Sequence, residues 1–160
     1  SGAARQGVSL ENEESFFGHK GGALGWGAGA ALGVALGLPT RRVVATIGDG
    51  SMMYAPQALW TAAHHRIPVT YVILNNAGYA IIKAGTQALQ GRAAQTGNYI
   101  GMDLEAPEIS FVALAEAMGV PATRVTSNEM LPAAFEKAFS TDGPYLIDAV
   151  LGGRSPRLPV

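Results

Sequence analysis

Four apolar runs rich in β-branched residues recur along this chain with helical stretches between them, and they restrict the fold more than any other feature. "RVVATIG" (Arg42–Gly48) stops at a turn and reads as a buried strand, and "VTYVILN" (Val69–Asn75) reads as a second. Between them "APQALWTAAHH" (Ala55–His65) is predicted helical, with Pro56 at the first helical position, where its missing N–H is harmless. Ser110 is an N-cap for "FVALAEAMG", and Gly119 supplies the stop. "VPATRVT" reads as a short strand and "NEMLPAAFEKAF" (Asn128–Phe139) as a helix. "PYLIDAV" (Pro144–Val150) is a last strand after the Asp142-Gly143 turn. Runs that are apolar throughout need cover on both faces. The β-α-β-α order therefore predicts an α/β fold, three layers (α/β/α) around a mostly parallel sheet. The part from Ile82 to Pro107 carries Gly85, Gly91, Gly97 and Gly101 and is expected to form a long functional loop around a short helix.

The 160 residues fit one domain. Hydrophobic residues make up 48% and charged residues 14%, so part of the surface is expected to be covered by partners. A net charge of −1 gives no electrostatic case for nucleic acid or an anionic membrane. With no cysteine, thiolate nucleophiles, disulfides and cysteine-ligated zinc are excluded. The first residues, "SGAARQGVSLENEES", lack the apolar centre of a secretory signal, and the expected location is cytoplasmic. Gly21–Thr40 runs without a charge and is long enough to span a bilayer, with Gly25, Gly29, Gly33 and Gly37 four apart as in membrane helix dimers. Glycine and alanine make its insertion poor, however, so a water-soluble helix with a glycine stripe open to close backbone approach is expected instead.

In open parallel sheets, ligands bind beyond the carboxyl ends of the strands. Gly48-Asp49-Gly50-Ser51 lies at one such end and Asn75-Asn76-Ala77-Gly78 at the next. Consecutive parallel strands are often neighbours, so both clusters are expected to face one crevice. Glycines beside Asp49 would permit positive φ and close approach of a ligand to the backbone. One carboxylate plus an amide oxygen is a weak site for a bare ion but suits magnesium that keeps phosphate oxygens and water in its octahedron. A metal–diphosphate complex is the predicted ligand. Each piece alone also reads as a plain turn or loop. There is no GxxxxGK[ST], and no GxGxxG follows a strand and opens a helix, so P-loop and dinucleotide readings fail.

"GDGS", the intervening residues and "NN" resemble the signature of thiamine-diphosphate-dependent enzymes, in the domain that holds the cofactor's diphosphate. "GGALGWG", "ALWTAAHHRIPVTYVILNNAGYAI", "ISFVALAEAMGV" and "GPYLIDAV" extend the likeness from Gly21 to Val150. It is strongest to the 2-oxoacid decarboxylase and acetolactate synthase group, in particular benzoylformate decarboxylases ("ALWTAA") and acetolactate-synthase-like proteins ("GGA", "YAI"). The resemblance implies a thiamine-diphosphate-binding fold, with magnesium held by the Asp49 carboxylate, the Asn76 side-chain oxygen and the Gly78 carbonyl. It implies that Gly48 and Gly50 line the diphosphate, that Ser51 and the Gly50 and Tyr79 backbone donate to it, and that Leu24 supports the cofactor's bent shape. The Gly22 carbonyl would accept from its amino group. Ile81 and Gly85 match substrate-pocket positions; Gly85 stands where a large aromatic is usual, which would open the pocket.

The implied chemistry is decarboxylation of a small-molecule 2-oxoacid with aldehyde release. Alternatives are carboligation of two oxoacids, as in acetolactate synthases, and a non-catalytic binding or regulatory module on the same fold. In this family the activating glutamate belongs to another domain, usually of a neighbouring subunit, and nothing here matches that segment. The catalytic residue is therefore unknown, this chain alone is expected to be inactive, and a homodimer or homotetramer is expected for the full-length enzyme. Residues 1–20 read as a partly disordered remnant of a longer chain, 21–150 as the binding domain and 151–160 as a tail. His64 and His65 are assigned to the end of their helix, where imidazole complements the dipole. His19 is a candidate for the cleft. Trp26 and Trp60 are expected in the core or at subunit contacts, and Arg41-Arg42 at a solvated strand start.

Overall fold

The structure is a computed structural model that describes residues 15–18 and 21–152. The predicted strands form at β1 (Val43–Gly48), β2 (Val69–Asn75), β3 (Ala122–Val125) and β4 (Tyr145–Val150). All pair in parallel, in the order β1-β2-β4-β3, so the last strand inserts between the second and third. The register sets Gly48 beside Leu74 and Asn75 beside Val150, which brings the β1 and β2 ends level.

Helices follow from this order. The β1→β2 connection carries α3 (Ala58–His64) and the β2→β3 connection carries α6 (Phe111–Ala117); both steps run in the same direction across the sheet. The β3→β4 step runs back and carries α7 (Leu131–Ser140). Right-handed crossovers in opposite directions place their helices on opposite faces. One face accordingly packs Ile47, Val69, Tyr71, Ile73 and Leu146 against α1 (Trp26–Gly37), α3 and α6. The other packs Val72, Tyr145, Ile147 and Ala149 against Ala134 and Ala138 of α7. Each large side chain fully buried this way contributes about 1.5–3 kcal/mol. Arg42 is exposed at the start of β1, as expected from sequence, and it has a further role. Its guanidinium donates to the carbonyl oxygens of Ala138 and Phe139, at 3.3 and 2.7 Å, and so caps the negative end of α7.

Several boundaries differ from the sequence reading. GDGS is a one-turn helix, α2 (Asp49–Met52), rather than a plain turn. α3 starts at Ala58, three residues later than predicted, because Pro56 lies in a hydrogen-bonded turn that precedes it. The stretch from Ile82 to Pro107, expected as a long loop around a short helix, holds two helices in its first half, the end of α4 (Ala80–Ala88) and α5 (Arg92–Thr96). The helix expected from Asn128 opens instead as a 3₁₀ turn (Asn128–Met130) before α7. Ser110 does cap α6, accepting from Ala113 N–H at 3.2 Å, and Gly119 follows it at φ +80°. Among the described residues no helix is long and apolar enough to cross a membrane. Trp26 and Trp60 are both exposed, not core, and Trp60 stacks on His64 with ring centroids 4.8 Å apart.

Candidate functional site

Asp49 is the first residue of α2, directly beyond β1, and Asn76 directly follows β2. Both side chains accept from a single donor: the Gly78 N–H gives hydrogen bonds to Asp49 Oδ2 at 3.2 Å and Asn76 Oδ1 at 3.1 Å. The two strand-end clusters therefore meet. Asp49 Oδ1 accepts from the Gly50 N–H at 2.8 Å, and Asp49 is only 3% exposed.

The glycines act differently from expectation. Neither Gly48, at φ −67°, nor Gly50 takes a positive φ. What Gly50 supplies is room, since a Cβ there would lie 2.5 Å from the Tyr79 ring. Gly78 likewise leaves no space, its hypothetical Cβ falling 2.8 Å from the Met102 carbonyl oxygen. Positive φ is used instead by Gly22, Gly25 and, unusually for a residue with a side chain, Ala77 at +57°.

The remaining predicted residues lie around this centre. Ser51 Oγ accepts from the Gly25 N–H at 3.1 Å, which ties the start of α1 to α2 and leaves the hydroxyl hydrogen for a further acceptor. Gly22 and Leu24 lie in the turn leading into α1, and Leu24 is 58% exposed. Tyr79 precedes α4, and its N–H donates to Met102 O at 2.9 Å. Ile81 and Gly85 sit four residues apart on α4, both exposed, Ile81 at 86%. His19 lies outside the described residues.

Sequence reasoning missed the layer beneath. Segment 102–104 lies along the Ala77–Tyr79 turn, bridged at Gly78 and Asp103, with Leu104 N–H donating to Ala77 O at 2.8 Å. Lys83 pairs with Asp103. On β4, Asp148 is fully buried and accepts from Asn75 Nδ2 at 2.9 Å. Burial pushes its carboxyl above the ordinary range, while the Asn75 hydrogen bond and the Arg124 guanidinium pull the other way. The available signal was a single carboxylate inside the apolar run "PYLIDAV".

A divalent cation fits this donor set. Asp49 is a buried carboxylate that receives N–H donors, and none of the described lysines or arginines pairs with it. A buried carboxylate in that condition costs free energy unless a cation joins it. Among the described residues no group of three or more His, Cys, Asp or Glu assembles, so an all-protein cage is absent there. One acid with an amide oxygen suits an ion that arrives with phosphate oxygens.

A parallel sheet with an acid–amide pair at its carboxyl edge defines a ligand-binding α/β domain of the three-layer class. Residues 2–149 match the family described as thiamine pyrophosphate enzyme, C-terminal TPP binding domain, and the chain belongs to that family. It is 36% identical over 143 residues to benzoylformate decarboxylase of Pseudomonas aeruginosa, covering 89% of this chain and 26% of that protein. To acetolactate synthase 2, chloroplastic, of Nicotiana tabacum it is 36% identical over 141 residues, 87% of this chain and 21% of the relative. Among solved structures, the thiamine diphosphate-dependent 4-hydroxybenzoylformate decarboxylase of Rhodococcus jostii RHA1 superposes with a TM-score of 0.73 at 41% identity. That match covers 82% of this chain and 24% of the other. The chain thus spans about a quarter of the length of the relatives it matches.

Proposed function

We propose that the full-length protein decarboxylates a 2-oxoacid and releases the aldehyde, and that this chain holds the diphosphate end of its thiamine diphosphate through magnesium. The observation that carries the reading is the shared Gly78 N–H, which draws the Asp49 carboxylate and the Asn76 amide oxygen to one point. Asp49 Oδ, Asn76 Oδ1 and the Gly78 carbonyl would hold the ion. Ser51 would donate to a phosphate oxygen, and Gly48 keeps that edge free of side chain. The Gly50 and Tyr79 N–H groups, expected from sequence to donate as well, are engaged by Asp49 Oδ1 and the Met102 carbonyl and would have to exchange those partners for phosphate. Leu24 offers an exposed apolar support, and Gly22 a backbone carbonyl, on the α1 side of the same crevice. When bound, the cofactor supplies the electron sink for the carbanion left by loss of carbon dioxide. This chain's share is to anchor the charged tail, fix orientation and exclude water.

Decarboxylation with aldehyde release is favoured by the two decarboxylase relatives named above, and Ile81 and Gly85 on the exposed face of α4 are assigned to the substrate side. The acetolactate synthase relative supports carboligation as the second reading. Product identification from pyruvate and from benzoylformate separates the two. The activating acid is assigned to another domain, so the 160-residue chain alone has no turnover and the working enzyme is a homodimer or homotetramer. The cytoplasm is proposed as its location. Asp49→Ala is the central test. In the intact enzyme it abolishes turnover and weakens magnesium-dependent cofactor binding at least ~100-fold in calorimetry, as expected when a charged ligand is lost. Turnover that is lost on this substitution removes the alternative of a non-catalytic module, whereas retained turnover or unchanged magnesium-dependent affinity would remove the site assignment.

A further inference from the structure

We propose that Asp148 is a positioning residue for the metal-holding turn, acting through the Asn75 amide; this rests on the reading of Asp49, Asn76 and Gly78 given above. Asn75 and Asp148 are both buried and lie on the same sheet face, Asp148 pairing with Ile73 in register and so diagonally below Asn75. Asn75 Nδ2 donates to Asp148 Oδ1 at 2.9 Å, and its Oδ1 accepts from the Ala77 N–H at 3.1 Å. An ionised carboxylate only accepts, so Asp148 fixes which end of the Asn75 amide faces it. The other end, the oxygen, is then always presented to Ala77. Ala77 holds the positive φ that turns the chain between Asn76 and Gly78. Held this way, the turn aims the Gly78 N–H at Asp49 and Asn76 together.

Asp148 is poorly placed to act as a mere stabiliser. Among the described residues its Oδ2 is buried with no hydrogen-bond partner, and the cation beside it, Arg124 Nε, is 3.7 Å away. Arg124 is itself engaged by Glu108. A buried, half-satisfied carboxylate in the middle of an apolar strand is a net cost to folding, which leaves its orienting effect on Asn75 as the gain. Partners one step removed from metal ligands typically alter metal affinity about 10–100-fold when lost.

The test uses the intact protein, freed of metal, with thiamine diphosphate in fixed excess and magnesium titrated by calorimetry. Thermal midpoints without magnesium are measured alongside. Asp148→Leu and Asn75→Ala are each expected to raise half-saturating magnesium by about 10-fold or more. The double variant is expected to stay within about twofold of either single variant, because both break the same relay. Asp148→Asn keeps an oxygen able to accept from Asn75 but adds an NH2 that can pair with the flipped amide, so its half-saturating magnesium is expected to fall between wild type and Asp148→Leu. The relay is overturned if half-saturating magnesium is unmoved in both single variants while thermal midpoints fall, or if the two effects multiply in the double variant. A wild-type protein that binds thiamine diphosphate without any need for magnesium overturns the site reading and the relay together. Normal wild-type dependence with unmoved variants overturns the relay alone.

Discussion

Gly25→Ala tests how the two halves of the site are joined. Gly25 lies at φ +82°, and a Cβ there would sit 2.7 Å from Tyr54 Cβ, with Ala55 Cβ next at 3.5 Å. Two costs follow. A side chain in the left-handed region costs about 1–2 kcal/mol. The overlap is far inside the ~3.5–4.0 Å of ordinary carbon contact, and since both atoms are fixed to backbone, relief requires the α1 start and the Tyr54 turn to separate, at about 1–3 kcal/mol. The expected total is a loss of about 2–5 kcal/mol, read from the urea midpoint of the intact protein at constant slope. Separation also stretches the 3.1 Å hydrogen bond from Gly25 N–H to Ser51 Oγ, so cofactor affinity falls with stability. Tyr54→Gly in the same chain removes the overlapping atom and is expected to recover the steric part but not the dihedral part. That leaves a coupling of about 1–3 kcal/mol in the double-mutant cycle. A loss below about 0.5 kcal/mol for Gly25→Ala, or independence from Tyr54, would refute the close-approach argument.

Two further outcomes are expected. Tyr71 is fully buried and burial pushes its hydroxyl above the ordinary tyrosine range. Its contribution to stability is thus fully present below pH ~10 and is lost as pH rises beyond it, since the unfolded state gives up the proton first. Tyr71→Phe loses only a long contact, 3.4 Å from Ala28 O, and should flatten the alkaline limb of the pH–stability curve; an unchanged limb would assign alkaline unfolding elsewhere. Gly78→Ala sets a methyl 2.8 Å from the Met102 carbonyl and should strain the Ala77–Tyr79 pairing with segment 102–104. It is expected to destabilise by about 1–3 kcal/mol and to raise hydrogen exchange at Tyr79 and Leu104; unaltered exchange at both amides would contradict it.

Much of this protein was open to reading from short stretches. β2 and β4 are mostly apolar runs with β-branched and aromatic residues, β4 interrupted by Asp148, and Ser110 and Gly119 mark their helix with local capping chemistry. Asp49 and Asn76 declared themselves by standing at strand ends, because a parallel sheet directs ligands there whatever the rest of the chain does. The ambiguous parts were those where neighbours compete. α4 has no buried residue, so no core periodicity advertised it beneath its scattered glycines.

What sequence determined, then, is which segments extend or coil and which polar groups stand at the carboxyl edge, since these depend on interactions within a few residues. Tertiary structure decided what those groups touch. The bond joining Gly78 to Asp49 spans 29 residues and the one joining Asn75 to Asp148 spans 73, and Arg42 reaches 97 residues to cap α7. The first exists because β1 pairs with β2, and the second because β4 inserts beside β2, outcomes of crossover handedness and packing over the whole sheet. The same long-range packing turned Gly50 from an expected source of backbone freedom into a source of space for Tyr79.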